Sequence, residues 1–553
     1  MKKIISLIIA CVLSLTALLA VGCGGEKFDP KTTLIIGVSQ DGVGRAWLDA
    51  VVTEFKKANP EINVHVDDKE SEYDRTNLIV NIKKNREDLY FINDYIAQNF
   101  IRNDGTSEYL VDITELVTDG GNNSIHSKMY DDVKSYHNYG TENNPKYYSL
   151  PYFMTFAGLV YNKDVFDAHN LYNLPLYKGF DGVKGTGDEN FGPDGIEETF
   201  DDGLPSTWED MKILIMYMAG QGITPFTWSK ADYRNLLMYN IWASYEGANN
   251  YKTLVNLNGT DSNLGAITKE NAYKLTGQQG RKAAIMVADF LTSNAEYYST
   301  DAFASTQDNK KALLEYVSSN PRYIKKSSGE PIAFLIEGTW WENEANQEYF
   351  GLVEESYGSQ YGYGKQRFGF LPFPRFVGTD GIDNQTNEKL MLLGGDTSIA
   401  TTGCFINKAS TKIDMAKKFI KFMYTDEMLN LFTKVSNVFM PLDYRIENDV
   451  YNSFTDFNKS VYDFISSENS EIVIPKVRNQ VLSAIGSKYD APVSLRTLVP
   501  NDRGVDTKLN DPIGDFYAYR TLYGLTAESY FNSKTKICNE ETWTTMLNEL
   551  HLV

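Results

Sequence analysis

"TTLIIGVSQDGVGRAWLDAVVTEFKKANPEINVHV", residues 32–66, decides the fold class. Its first eight residues are a short run of β-formers. Trp47, Leu48, Val51, Val52 and Phe55 then recur at helical spacing, and Asn59-Pro60 stops the pattern. "INVHV" alternates, with Ile62, Val64 and Val66 on one face. Strand, helix, strand in that order favours a parallel sheet with helices packed on it. Downstream, Asp74 stands where a helix running to Lys83 would take its cap, and "DLYFIND" (88–94) reads as the next strand. The first part of the chain is therefore expected to be α/β.

Upstream, "MKKIISLIIACVLSLTALLAVGCGG" (1–25) has a basic start, an apolar run from Ile4 to Val21, and small residues before Cys23. That is the layout of a secretory signal peptide. "GGEKFDPKT" (24–32) reads as a flexible tether.

The whole chain has 553 residues, room for two or more domains, and 42% hydrophobic residues, ample for sizeable cores. The net charge of −20 would repel phosphate backbones, so nucleic acid is not an expected partner. The five His form no H-E-x-x-H and stand beside no Cys, so zinc has no support. Cys404 and Cys538 could pair in an oxidising compartment; two buried free thiols is the preferred reading. Many Tyr, 36 of them, suit half-wet recognition surfaces as well as cores.

Further along, "YYSLPYFMTFAGLVYNKDVFDAHNL" (147–171) mixes aromatics with strand formers around Pro151. "LPSTWEDMKILIMYMAGQGITPF" (204–226) opens with Ser206 or Thr207 as a helix cap, and Gly220 and Gly222 end the helix. "DYRNLLMYNIWASYEG" (232–247) is helical, and "PIAFLIEG" (331–338) is a buried strand by its unbroken apolar run. "RFGFLPFPRF" (367–376) is extended, and residues 411–435 form two helices broken near Thr425.

Four stretches in this order resemble the extracellular solute-binding proteins of ABC transporters, of the family that includes maltose-binding protein: residues 35–66; "LPYFMTFAGLVYNKDVF" with "LPSTWEDM"; "IAFLIEGTWW"; and "SIATTGCFINKASTKIDMAKKFIKFMYTDEML". The resemblance covers roughly residues 32–440. It implies an α/β, two-lobed periplasmic-binding-protein-like fold with a hinge and an interlobe ligand cleft. Lobe I would hold residues 32–151 and 372–439. Lobe II would hold 152–371 and 440–553, the latter with a C-terminal extension. The chain would cross near Pro151, Leu371–Pro374 and Met440–Pro441. The small residue before Cys23 is similar to a lipobox, although Ala20 stands where Leu is usual. This implies cleavage after residue 22 and a lipid anchor on the Cys23 sulfur.

"IEGTWWENE" (336–344) then looks like the family's Gly-x-Trp turn, with Trp340 facing the cleft and Trp341 in packing. A sugar ring offers an apolar C–H face to an aromatic and an equator of hydroxyls to carboxylates, and Trp340 with Glu337 has that pairing of types. Both tryptophans in the core is the alternative. Matching segments nominate Asp41 and Trp47 (equally the core face of its helix), Asp94, Phe153, Thr155, Trp228, Tyr239 (equally helix packing), Gly395 and Asp396. The acidic insert "TGDENFGPDGIEETFDDG" (186–203) lacks EF-hand spacing, but Asp188, Asn190, Asp194 and Asp201 are hard oxygen ligands that would suit a structural calcium. A solvated acidic loop is the alternative. No other cofactor is expected.

The expected function is capture of a sugar, an oligosaccharide by the reading preferred here, by a monomeric, lipid-anchored protein outside the cytoplasm. It would hand the sugar to ABC permease subunits. A peptide or organic-cation ligand keeps the transport role. A surface glycoside hydrolase would need two carboxylates flanking one bond, with Glu337, Glu342 and Glu344 as nominees. Glu342 and Glu344 read instead as an exposed helix start.

Overall fold

The computed structural model describes residues 29–40, 42–67, 75–84, 86–93, 100–102, 105–172, 174, 191–318, 331–376, 389–394, 402–474, 480–485 and 488–552. The opening stretch folds as β1 (Thr33–Val38), α1 (Ala46–Ala58) and β2 (Asn63–Asp67), followed by α2 (Arg75–Lys83) and β3 (Leu89–Ile92). β1 pairs in parallel with β2 and β3 on its two sides. All five apolar residues of the α1 stripe are buried. That burial, rather than helix propensity, holds the helix on the sheet.

After β3 the chain crosses to a second lobe. Leu150 bridges Cys404, Met154 bridges Phe439 and Phe156 bridges Gly394, so the crossing segments lie side by side. The second lobe begins with β4 (Ala157–Asn162), α3 (Trp208–Gly220), β5 (Thr224–Thr227) and α4 (Ala231–Asn256). It continues with β6 (Ile332–Gly338), α5 (Trp341–Glu348) and β7 (Phe368–Leu371). The sheet order is β5-β6-β4-β7, with β5 parallel to β6 and β4 antiparallel to both its neighbours. Thr207 is the cap of α3, in a capping box with Asp210. β8 (Leu390–Leu393) follows in the second lobe. β9 (Gly403–Ile406) then returns to the first sheet, antiparallel to β3, and α6 (Ile413–Met423) and α7 (Asp426–Ser436) pack there.

The return crossing departs from the expectation of Leu371–Pro374. Leu371 still belongs to β7, and Phe373 and Phe376 lie 5.7 and 6.2 Å from the Trp208 ring inside the second core. Gly394 still follows β8 and bridges Phe156, and Cys404 is already in the first sheet, bridging Leu150. A Pro-punctuated extended run reads alike whether it spans two lobes or lines one. The third crossing lies at 439–442, where Phe439 bridges Met154 and Leu442 bridges Met129.

The last part of the chain holds α8 (Asp456–Ser466), β10 (Ser470–Val473), α9 (Pro512–Tyr523), α10 (Ala527–Ser533) and α11 (Glu540–Glu549). Ile513, Phe516, Tyr530, Trp543 and Met546 are continuous with the second core. The C-terminal residues are thus built into the second lobe. Cys404 lies in the first core and Cys538 in the second, both buried and free. No described helix is long and apolar enough to cross a membrane.

Candidate functional site

β5 and β6 run parallel, with Thr227 beside Leu335, so their C-terminal ends open on one edge of the second sheet. Ligand sites of open α/β sheets collect at such edges. Trp228 and Ser229 follow β5, and Thr339 and Trp340 follow β6. Thr339 ties this edge to the crossing strand: its N–H donates to Phe156 O at 2.9 Å, and its hydroxyl accepts from Phe156 N at 3.0 Å.

The Trp340 ring folds back over Gly338, where any Cβ would run into the indole. Glycine is required there by this close approach. Across from it is the first lobe. A Cβ built on Gly42, in the turn between β1 and α1, would lie 3.8 Å from Trp340 Cβ and 3.8 Å from Glu344 Oε1. Tyr233, in the first turn of α4, places its ring 6.5 Å from that of Trp340. Asn309 Nδ2 donates to the Tyr233 hydroxyl at 2.6 Å, and the Ser229 hydroxyl donates to Asn309 Oδ1.

Glu337, the penultimate residue of β6, is 1% exposed, and its Oε2 has no hydrogen-bond partner. Burial, then repulsion from Glu344, pushes its carboxyl well above the usual range; hydrogen bonds from the Gly338 N–H and Trp340 pull the other way. The shift favours the protonated acid, and Oε2 is left with hydrogen-bonding capacity unspent beside Trp340. Burial and the charges of Glu337 and Glu344 raise the Tyr233 phenol as well.

The structure thus brings Glu337 and Trp340 together and adds Glu344, Tyr233, Asn309 and Ser229. The sequence reading missed Tyr233, although its place just after a strand's C-terminal end was a usable signal. The other nominees sit elsewhere in the fold. Trp47 is fully buried, packed against Phe91, Tyr152 and Phe432, and its N–H donates to Gly44 O at 3.0 Å, so its core alternative is the one observed. Trp228 is fully buried among Phe226, Tyr298 and Phe303, with no open face for a ligand. Phe153 belongs to the first core. Thr155 sits on the crossing strand, buried, with its hydroxyl unpartnered. Tyr239 is half-buried and stacks on Trp242 within α4. Trp341 packs among Tyr316, Phe350, Phe368 and Phe457, the packing role expected of it.

Glu342 is not part of an exposed helix start. It is 5% exposed, and its Oε2 accepts from the Thr455 hydroxyl at 2.7 Å and from Asn458 Nδ2. It joins α5 to α8, because those neighbours come from distant sequence.

Asp41, Asp94, Gly395 and Asp396 lie outside the described residues, as do Cys23, Asp188 and Asn190. Of the acidic insert, Asp194 and Asp201 are described. Asp201 Oδ2 accepts from Asp194 N at 2.9 Å and its Oδ1 from the Thr199 hydroxyl at 2.8 Å; Asp194 Oδ1 accepts from Ile196 N at 2.8 Å. Burial pushes Asp201 up to about 7. Both carboxylates thus tie the loop to itself, and among the described residues no group of three His, Cys, Asp or Glu could hold a metal ion.

The bacterial extracellular solute-binding protein family model matches residues 39–429. Among solved structures, RafE in complex with raffinose is 15% identical, with a TM-score of 0.51 over 93% of this chain and 99% of that one. The apo form of RafE from Streptococcus pneumoniae has the same identity and TM-score, over 94% and 100%. A probable secreted solute-binding lipoprotein from Streptomyces coelicolor is 14% identical, with a TM-score of 0.51 over 95% and 100%. A comparison with curated proteins gives no match. With the family match spanning most of the chain and two α/β lobes joined by crossing strands, this protein belongs to the bacterial extracellular solute-binding proteins.

Proposed function

We propose that this protein captures an oligosaccharide between its lobes and delivers it to an ABC permease, held to the outer face of the membrane by lipid on Cys23. The observation that carries the sugar reading is the Trp340 turn, whose ring, 3% exposed with the lobes in this arrangement, stands at the interlobe edge beside the unspent oxygen of Glu337. A ring face and a hydrogen-bonding acid meet the two surfaces of a sugar. No catalytic step is proposed: Glu342, one of the three hydrolase nominees, has its carboxylate bound to α8. The raffinose complex of RafE is in keeping with this reading.

A second reading is favoured by the Glu337–Glu344 pair beside Trp340 and Tyr233, which would also suit an organic cation. Thermal unfolding of the chain from residue 24 onward, against oligosaccharides, peptides and polyamines, separates the two. A ligand at a hundred times its dissociation constant adds about 2.7 kcal/mol. A shift with one glycan class, lost in Trp340→Ala, upholds the sugar reading; a shift with polyamines or peptides alone overturns it.

The insert would hold structural calcium only with Asp188 and Asn190 joining Asp194 and Asp201. Calcium is then expected to raise the unfolding midpoint of the EDTA-treated protein, and Asp188→Asn to remove that rise; equal midpoints with and without calcium leave a loop held by the hydrogen bonds of its own buried carboxylates.

A further inference from the structure

The C-terminal residues carry one feature that core packing does not require. Tyr517, on α9, is 54% exposed and lies flat on Phe303, ring centroids 3.8 Å apart and planes 4° from parallel. One face of the phenol is taken by Phe303, and the other is left to solvent. Phe303 itself packs on Trp228, the residue that follows β5, at 5.4 Å. The pair therefore stands on the edge of the second sheet that carries Trp340.

A chain of contacts runs from this pair toward Trp340. Tyr233 faces Trp340 at 6.5 Å, and the next residue, Arg234, lays its guanidinium over Phe303 at 5.5 Å. Arg234 Nε donates to both oxygens of Asp511, at 3.2 and 3.0 Å, and both side chains are nearly buried. Asp511 is also the cap of α9, accepting from Gly514 N at 3.2 Å. The same ion pair thus pins α9, and Tyr517 with it, to the helix start that carries Tyr233.

We propose that Tyr517 on Phe303 is an outer sugar-stacking platform for an oligosaccharide whose inner end is held between the lobes. This rests on the sugar reading of the cleft. A sugar's C–H face needs one open, immobilised aromatic face and polar groups at its rim. Asp232, whose side chain is 75% exposed, is one residue before Tyr233 on that rim. A protein-docking face would need neighbouring exposed apolar residues. The other strongly exposed one on α9, Leu522 at 57%, is five positions on, about 140° around the helix. The two do not share a face.

The test is calorimetric titration of the full mature chain with maltose to maltohexaose, cellobiose to cellohexaose and xylobiose to xylohexaose, on the unaltered protein, Tyr517→Ala and Tyr517→Phe. Tyr517→Ala is expected to weaken the longer members of the series that binds by about tenfold, the size of a lost aromatic contact, while disaccharide affinity stays unchanged. Tyr517→Phe should bind like the unaltered protein. Equal affinity of the Ala variant at every length overturns the platform and leaves the sugar reading standing. Equal weakening at every length also overturns the platform. Binding of no glycan by the unaltered protein overturns the sugar reading, and the platform with it.

Discussion

Trp340 and Trp341 are adjacent in sequence and part ways in the fold. Trp340 lies over Gly338 at the interlobe edge; Trp341 is closed in by four aromatic rings. Trp341→Ala should therefore lose roughly 3–5 kcal/mol of stability in urea unfolding, the cost of a large cavity. Its ligand affinity, measured on the folded fraction, should be kept. Trp340 is also buried, at 3% exposed, so Trp340→Phe should cost less stability than Trp341→Ala and, unlike it, lose ligand affinity in the folded fraction. Glu342 gives a second test at this scale. Burial pushes it up to about 7, as it does Glu246 and Asp201. The folded state then holds protons that the unfolded chain releases near about pH 4. Stability from these groups is full below that pH and is lost as pH rises through about 7. Unfolding midpoints should fall between pH 5 and 8 through these groups, and Glu342→Gln, which keeps an acceptor for Thr455 and Asn458, should make the fall shallower. An unchanged slope would refute the assignment.

At the scale of elements, the site depends on where two strands end and one helix begins. β5 and β6 finish at the same edge, and α4 starts within three residues of Ser229. The Arg234–Asp511 pair braces that start from the C-terminal part of the chain. Asp511→Ala removes the α9 cap and leaves a nearly buried guanidinium without its carboxylate. A loss of about 3 kcal/mol or more is expected in denaturant unfolding. Arg234→Ala should cost a similar amount, and the double variant less than the sum of the two. Additive losses would mean that the two residues act independently.

Across the whole molecule, the lobes touch through contacts that a hinge motion would change. Lys252 on α4 pairs with Asp132 of the first lobe at 2.9 Å, and Asn343 on α5 donates to the Ser436 carbonyl on α7. Ligand binding shifts such an equilibrium only by its preference for the closed arrangement. Small-angle scattering should report a smaller radius of gyration when a binding glycan is added. Lys252→Ala should leave the closed radius unchanged and raise the dissociation constant by a few-fold, since a part-exposed pair contributes at most about 1 kcal/mol. No change of radius at saturation would argue against closure.

What the sequence determined by itself is what local pattern controls. The α1 stripe, the alternation of β2, the unbroken apolar run of β6 and the cap at Thr207 were legible because each records burial or hydrogen bonding within a few residues. The Gly-x-Trp turn was read from the family resemblance, and its steric cause, the indole lying over Gly338, came from the structure. Long-range packing decided the rest. The helical spacing of Trp47 was equally consistent with a core face or a cleft face, and only Phe91, Tyr152 and Phe432 closing around it settled which. Glu342 looked solvated until Thr455 and Asn458, more than a hundred residues on, supplied its partners. The chain did not cross at Leu371–Pro374 because Phe373 and Phe376 stayed in the second core, a choice that their own neighbours in sequence do not encode. Tyr233 joined Trp340 because two strands ended on one edge, and a strand's neighbours are set by sheet order, which tertiary structure alone fixes.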